Sequence, residues 1–218
     1  MKKIYIPAFA GYEEKFREGA ILIAISGLSG SGKGTQAKLL QSNLKARMGI
    51  ELKIFESGEF FRALAKEYGF SRIEEFSNYV KSSPALTKEI DMKIDRMTIE
   101  RALKEDGIYV GRLSFACIGD FGYKIFLNAD PKVIAERIIR DTSREEYGMA
   151  LESAEHAIKA RDAADIERYR TLYDINYKKL SKKCDLIIDT SNKTKEEVAE
   201  LIYKNVAEWL KMKHAQKT

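Results

Sequence analysis

The sequence predicts an α/β fold in which a parallel sheet carries helices on both faces. Three observations predict it: short apolar runs at 21–25, 51–55, 108–110, 123–127 and 184–188, helical patterns between them, and a glycine-rich stretch where the first run meets the first helix. The first run, Ile21 to Ile25, is continuously apolar, as strands buried on both faces are. Alternation of such runs with helices calls for crossover connections and hence parallel strands. With 218 residues, 44% hydrophobic and 33% charged, the chain can bury one substantial core.

Residues 1–20 precede the first strand. Their apolar positions, Ile4, Ile6, Phe9, Tyr12 and Phe16, form either an arm packed on the domain, the favoured reading, or a contact with another subunit. Residues 21–218 are expected to form a single domain, because no repeat, low-complexity stretch or Pro/Gly linker divides them. After the glycine-rich stretch, Ala37, Leu40, Leu44 and Met48 recur at helical spacing and Gly49 supplies a stop. The second strand (Glu51 to Phe55) leads into ESGEFFR, the third (Ile108 to Val110) into GRLSF, and the fourth (Tyr123 to Leu127) precedes AERIIRD. After the fifth, Thr194 and Glu197 make a capping box for a last helix whose expected buried stripe is Val198, Leu201, Ile202, Trp209 and Leu210.

A formal net charge of +5 suits either nucleic acid or phosphorylated small molecules as partners. The basic tail from Lys211 to Lys217 has no interleaved aromatics and reads as a solvated helix end, which disfavours nucleic acid. Cys117 and Cys184 stand far apart and the only histidines are His156 and His214, so neither a disulfide framework nor a zinc site is expected. No run approaches membrane-spanning length, and a cytoplasmic location is expected.

The glycine-rich stretch carries the chemistry. Gly27, four residues, Gly32 and Lys33 have the spacing of a phosphate-binding loop, with Gly34 where Ser or Thr usually follows the lysine and Thr35 one place later. At a strand-to-helix junction, free backbone N–H groups and the positive end of a helix dipole converge, and glycine lets an anion approach them. Gly27, Ser29, Gly30, Ser31, Gly32, Lys33, Gly34 and Thr35 are therefore the candidate phosphate-binding set, with Lys33 on the outer phosphate oxygens and Thr35 on a magnesium ion. Farther along, Arg161, Asp165 and Arg168 fall on one helical face, an acid between two guanidiniums. Spacing alone leaves two readings, a solvated salt-bridge row or an anion site.

The stretch GKGTQ at 32–36, with glycine after the lysine, resembles nucleoside monophosphate kinases. The segment from Arg161 to Arg168 resembles the RDxxDxxR of cytidylate kinases, and Arg168 to Val198 is similar to the archaeal type of that family. The resemblance runs from about Ile21 to the C-terminus and implies a P-loop nucleoside monophosphate kinase fold with a helical lid. It implies that ATP, with Mg²⁺, gives its γ-phosphoryl group to CMP or dCMP, and that the protein is a monomer or homodimer. Ser57 and Arg62 in ESGEFFR, and Arg112 after the third strand, would hold the acceptor. Arg161 and Arg168 would spread over the transferring group, with Asp165 orienting them or meeting the acceptor ribose. Arg137 and Arg140, near the start of the lid, would meet the donor phosphates. Asp189, Thr190 and Ser191 would border the donor base.

Two departures from the family pattern bear on chemistry. Leu113 stands where the bacterial type has a base-reading Asp, which leaves other acceptors open: AMP, UMP or a non-nucleotide. Val110 stands where the family commonly has an acid that orders the magnesium's water shell. Another acid, such as Glu59, would then serve, or the chain would be a catalytically weak nucleotide-binding regulator.

Overall fold

A computed structural model describes residues 2–142 and 147–215. The five strands are β1 (Leu22–Gly27), β2 (Lys53–Glu56), β3 (Gly107–Val110), β4 (Tyr123–Asn128) and β5 (Leu186–Asp189). They form one sheet in the order β2-β3-β1-β4-β5, with every neighbouring pair parallel. The first half of the helices comprises α1 (Lys33–Met48), α2 (Ser57–Glu67), α3 (Ile73–Lys81), α4 (Pro84–Lys104) and α5 (Ser114–Ile118). The second comprises α6 (Pro131–Ile138), α7 (Leu151–Tyr173), α8 (Tyr177–Ser181) and α9 (Lys195–Ala215).

Central β1 explains the continuous apolar run. Leu22 and Ala24 pack with α4 and α5 on one face, while Ile23 and Ile25 pack against α1 and α9 on the other, so every position needs an apolar side chain. The chain leaves β1 toward β2 on one side and later crosses from β3 to β4 on the other. The carboxyl end of β1 therefore lies at the reversal of strand order, where open parallel sheets leave a crevice for ligands.

The expected elements are present with local differences, three of which have a visible cause. β2 starts at Lys53, because Glu51 stays in solvent and pairs with Lys45 at 2.8 Å. β5 starts at Leu186, because the chain is still leaving α8 at Cys184, and Asp185 turns aside to accept the Lys124 N–H at 2.7 Å. In α9 the capping box forms, Glu197 N–H donating to Thr194 Oγ1 at 3.2 Å and Thr194 N–H to Glu197 Oε2 at 2.7 Å. Its buried edge is Val198, Ile202, Val206 and Leu210, whereas Leu201, expected in the stripe, is 40% exposed. One residue is about 100° of helical rotation, enough to turn Leu201 off the face that Ile202 buries.

Residues 7–15 form a 3₁₀ helix packed against α4, and the residues just before it run over α5. Ile4, Ile6 and Phe9 are buried, and Phe16 stacks on Phe121 with ring centroids 4.1 Å apart. Tyr5 N–H donates to the Ala116 carbonyl at 2.9 Å, and Asp120 N–H to that of Lys3 at 2.9 Å. The crossing is tight over Gly119, where φ is +55° and a Cβ would sit 2.0 Å from the Lys3 oxygen. Only glycine meets both conditions.

Candidate active site

The phosphate-loop sequence spans the end of β1 and the start of α1. Gly32, with φ +87°, is the N-cap of α1, and Lys33 is its first residue. At Gly30, φ is +69° and a Cβ would lie 2.5 Å from Ile134 on α6. Glycine there lets α6 close against the loop. Lys33 Nζ donates to the Leu28 carbonyl at 2.7 Å, folding the lysine back along the loop.

Two cavities meet at this loop. One, of about 420 Å³, is lined by the loop glycines, Lys33, Thr35 and Glu56. The other, of about 610 Å³, is lined by Asp91, Arg161, Asp165 and Arg168. Ser57, Gly58 and Arg112 line both. A third cavity, of about 640 Å³, adjoins Ser31 of the loop and is bordered by Asn128 after β4 and by Asp189 and Ser191 after β5.

The second cavity holds a charge network. Asp165, 3% exposed, faces Arg112 Nε at 2.9 Å with one oxygen and Arg168 Nη2 at 2.8 Å with the other. Arg168 Nε lies 2.5 Å from Asp91 on α4. Burial raises the Asp91 carboxyl above its ordinary range, and the Arg168 charge beside it opposes that shift. Asp165 and Arg168 are thus not confined to a row on α7: their ion pairs join α4, α7 and the turn after β3 around one cavity, which Arg161 lines from an exposed position.

Most of the sequence-predicted residues converge here. The loop residues, Ser57, Arg112, Arg161, Asp165 and Arg168 line the two joined cavities or the loop between them. Arg62 is exposed on α2 and lines neither cavity; its guanidinium lies beside Gly58, one turn back. Arg137 is not directed at the loop: it donates to the Thr190 hydroxyl at 3.0 Å and to the Thr190 carbonyl at 2.6 Å, bracing the turn after β5. Arg140 is exposed past the end of α6. Glu59 is also exposed and outside the loop cavity, and the acid that lines it is Glu56.

Four acids at the site have no role assigned from the sequence. Asp91 and Asp95 follow Thr87 at four-residue steps along α4, a polar row whose regularity was the available signal. Asp162 accepts the Ser29 N–H at 3.3 Å, bringing α7 onto the phosphate loop. Burial raises its pKa, while the Ser29 N–H, Arg112 and Lys33 act the other way. Glu56, the first residue of ESGEFFR and the end of β2, gains its place at the loop from the sheet, which the segment alone does not show.

Asp95 lies at the floor of the second cavity, where it accepts from Tyr173 OH at 2.6 Å and faces Cys117 Sγ at 3.8 Å. Burial is the main cause that pushes its carboxyl up to about 7 from 3.8. The folded state therefore binds a proton that the unfolded state has released, and stability falls as pH rises from about 4 to about 7. The slope from this one group is at most about 1.4 kcal/mol per pH unit. Asp95→Asn keeps an oxygen for Tyr173 and abolishes the slope. Urea midpoints at pH 5 and pH 8 are expected to converge in the variant and differ in the parent, and an unchanged difference would refute the assignment.

Residues 26–159 match the family described as AAA domain. A cytidylate kinase from Pyrococcus abyssi is 36% identical over 185 residues, covering 85% of this chain and 93% of its own length. One from Methanopyrus kandleri is 33% identical over 193 residues, covering 84% and 91%. The chain belongs to the cytidylate kinase family. A shikimate kinase structure from Bacteroides thetaiotaomicron has a TM-score of 0.58 at 15% identity, covering 86% of this chain and 98% of its own, a likeness of fold alone. The fold is that of the P-loop kinases, and the chain is a P-loop phosphotransfer kinase. No helix among the described residues is long and apolar enough to cross a membrane.

Proposed function

We propose that this kinase transfers the γ-phosphoryl group of ATP to the phosphate of CMP or dCMP. The observation that supports this most directly is that Arg112 lines both joined cavities, between the phosphate loop and the Asp165 network. A donor phosphate chain on the loop and an acceptor phosphate in the second cavity would then meet at one guanidinium.

The acceptor phosphate is already an anionic nucleophile, so the reaction needs no general base. The work of the protein is positioning and charge neutralisation. Asp165 holds Arg112 and Arg168 in place before substrate arrives, so their reorganisation is not required at the moment of transfer. Lys33 would leave the Leu28 carbonyl for the outer phosphate oxygens. The loop, α6 and α7 pack together, which shields the transferring group from water. The third cavity, beyond Ser31, would take the donor base.

Magnesium suits the oxygen donors at the loop. Thr35 lies on the first turn of α1 and lines the loop cavity, where its hydroxyl would hold the ion. When bound, the ion supplies neutralisation of the donor phosphates.

The test is a coupled ADP-release assay with ATP and Mg²⁺ against CMP, dCMP, UMP, AMP and GMP, with a no-acceptor control. Turnover confined to CMP and dCMP is expected. Turnover with AMP or UMP instead would reassign the acceptor, and ADP release no higher than the control with all five would overturn the reading.

A further inference from the structure

Glu56 is a half-buried carboxylate with no side-chain hydrogen bond or ion pair among the described residues. It is the N-cap residue of α2, yet its side chain caps none of that helix's N–H groups. Instead it lines the phosphate-loop cavity together with Lys33 and Thr35. Its Oε1 lies 3.5 Å from where a Cβ on Gly34 would stand, so the carboxylate faces the first turn of α1 across a residue that has no side chain. The Thr35 hydroxyl, on that same turn, also lacks a hydrogen-bond partner among the described residues.

This arrangement is electrostatically costly for phosphate binding alone. A carboxylate directed into a cavity built from backbone N–H groups and a lysine repels the anion those groups attract. A cation between the two turns that repulsion into attraction. Carboxylate and hydroxyl oxygens are the donors that a hard divalent ion takes. The backbone explains how the carboxylate reaches this place: Glu56 is the register partner of Val110 on β3, and that pair ends the β2–β3 ladder beside the loop. The Val110 side chain brings no oxygen to the crevice, and the adjacent strand brings a carboxylate.

We propose that Glu56 is a metal-positioning residue, supplying from β2 the carboxylate that faces the divalent cation of the donor nucleotide, opposite the Thr35 hydroxyl. The inference rests on the reading that the loop holds the donor phosphates.

The two can be tested apart by isothermal titration with adenosine 5′-(β,γ-methylene)triphosphate, in Mg²⁺ and in EDTA. The parent protein is expected to bind the analogue more tightly in Mg²⁺. In Glu56→Gln the gain from Mg²⁺ should shrink by about tenfold or more, the loss typical when a group supporting a bound metal is removed. Affinity in EDTA should stay equal or rise, because a repelling charge has gone. Loss of a merely structural group would weaken both conditions together. Glu59→Gln, an exposed change three residues along, should behave as the parent does. A full Mg²⁺ gain in Glu56→Gln would overturn the role of Glu56 while leaving the loop reading intact. Absence of analogue binding by the parent in both conditions would overturn the loop reading and the inference with it.

Discussion

Lys33→Met is expected to lower turnover by about a hundredfold or more with the fold intact, the loss typical of removing one charge-stabilising group from a phosphoryl-transfer site. Methionine keeps the length and apolar stem of lysine and removes only the ammonium. In the absence of substrate that ammonium donates to the Leu28 carbonyl, a hydrogen bond whose loss costs about 1 kcal/mol. Turnover and stability thus separate. The rate should collapse in the ADP-release assay, and the thermal unfolding midpoint should move by only a few degrees. Near-parental turnover in a folded variant would remove Lys33 from the mechanism.

Asp165→Asn is expected to damage both stability and acceptor binding. Among the described residues Asp165 is the only acid ion-paired with both Arg112 and Arg168, and it is almost wholly buried. Without its charge the two guanidiniums repel, and Asp91 alone remains to balance Arg168. Removing one partner of a fully buried pair typically costs 3–5 kcal/mol. Here the arginine side chains are 31% and 30% exposed and recover some hydration, so a loss of about 2–3 kcal/mol is expected. A denaturant titration measures it. In the assay, KM for the acceptor should rise by about tenfold, a change of about 1.4 kcal/mol in binding, while donor affinity stays near the parent value. An unchanged acceptor KM would assign the network to stability alone.

The fold was legible because its signals are local. A strand buried on both faces has to be apolar at every position, and a parallel sheet has to alternate such strands with helices, so five runs and their parallel pairing could be read directly, though not their order in the sheet. The loop was legible for the same reason: glycines and a lysine in a short span carry their meaning without distant residues. The pairing of Arg168 with Asp91 was not, because it joins α7 to α4 and depends on how two helices pack. Arg137 shows the converse. Residue type and position near the lid suggested donor phosphates, but the course of α6 carries its side chain to Thr190. Glu56 needed the register of β2 on β3, which no window along the chain contains.

The N-terminal residues, which pack against α4 and α5, bear on the order in which the chain folds. Arg17 bonds to Leu103 across 86 residues, Lys3 to Asp120 across 117, and Ala20 to Lys213 across 193. Such long loops are entropically expensive to close early. During synthesis Ile4, Ile6 and Phe9 emerge first, yet their docking surface is complete only after α7 has been made, where the Tyr173 ring lies 6.2 Å from that of Phe9. Docking therefore follows assembly of the sheet. Phe9→Ala should speed unfolding and leave the refolding limb of the chevron where it is, so that this segment acts as a late clasp on kinetic stability.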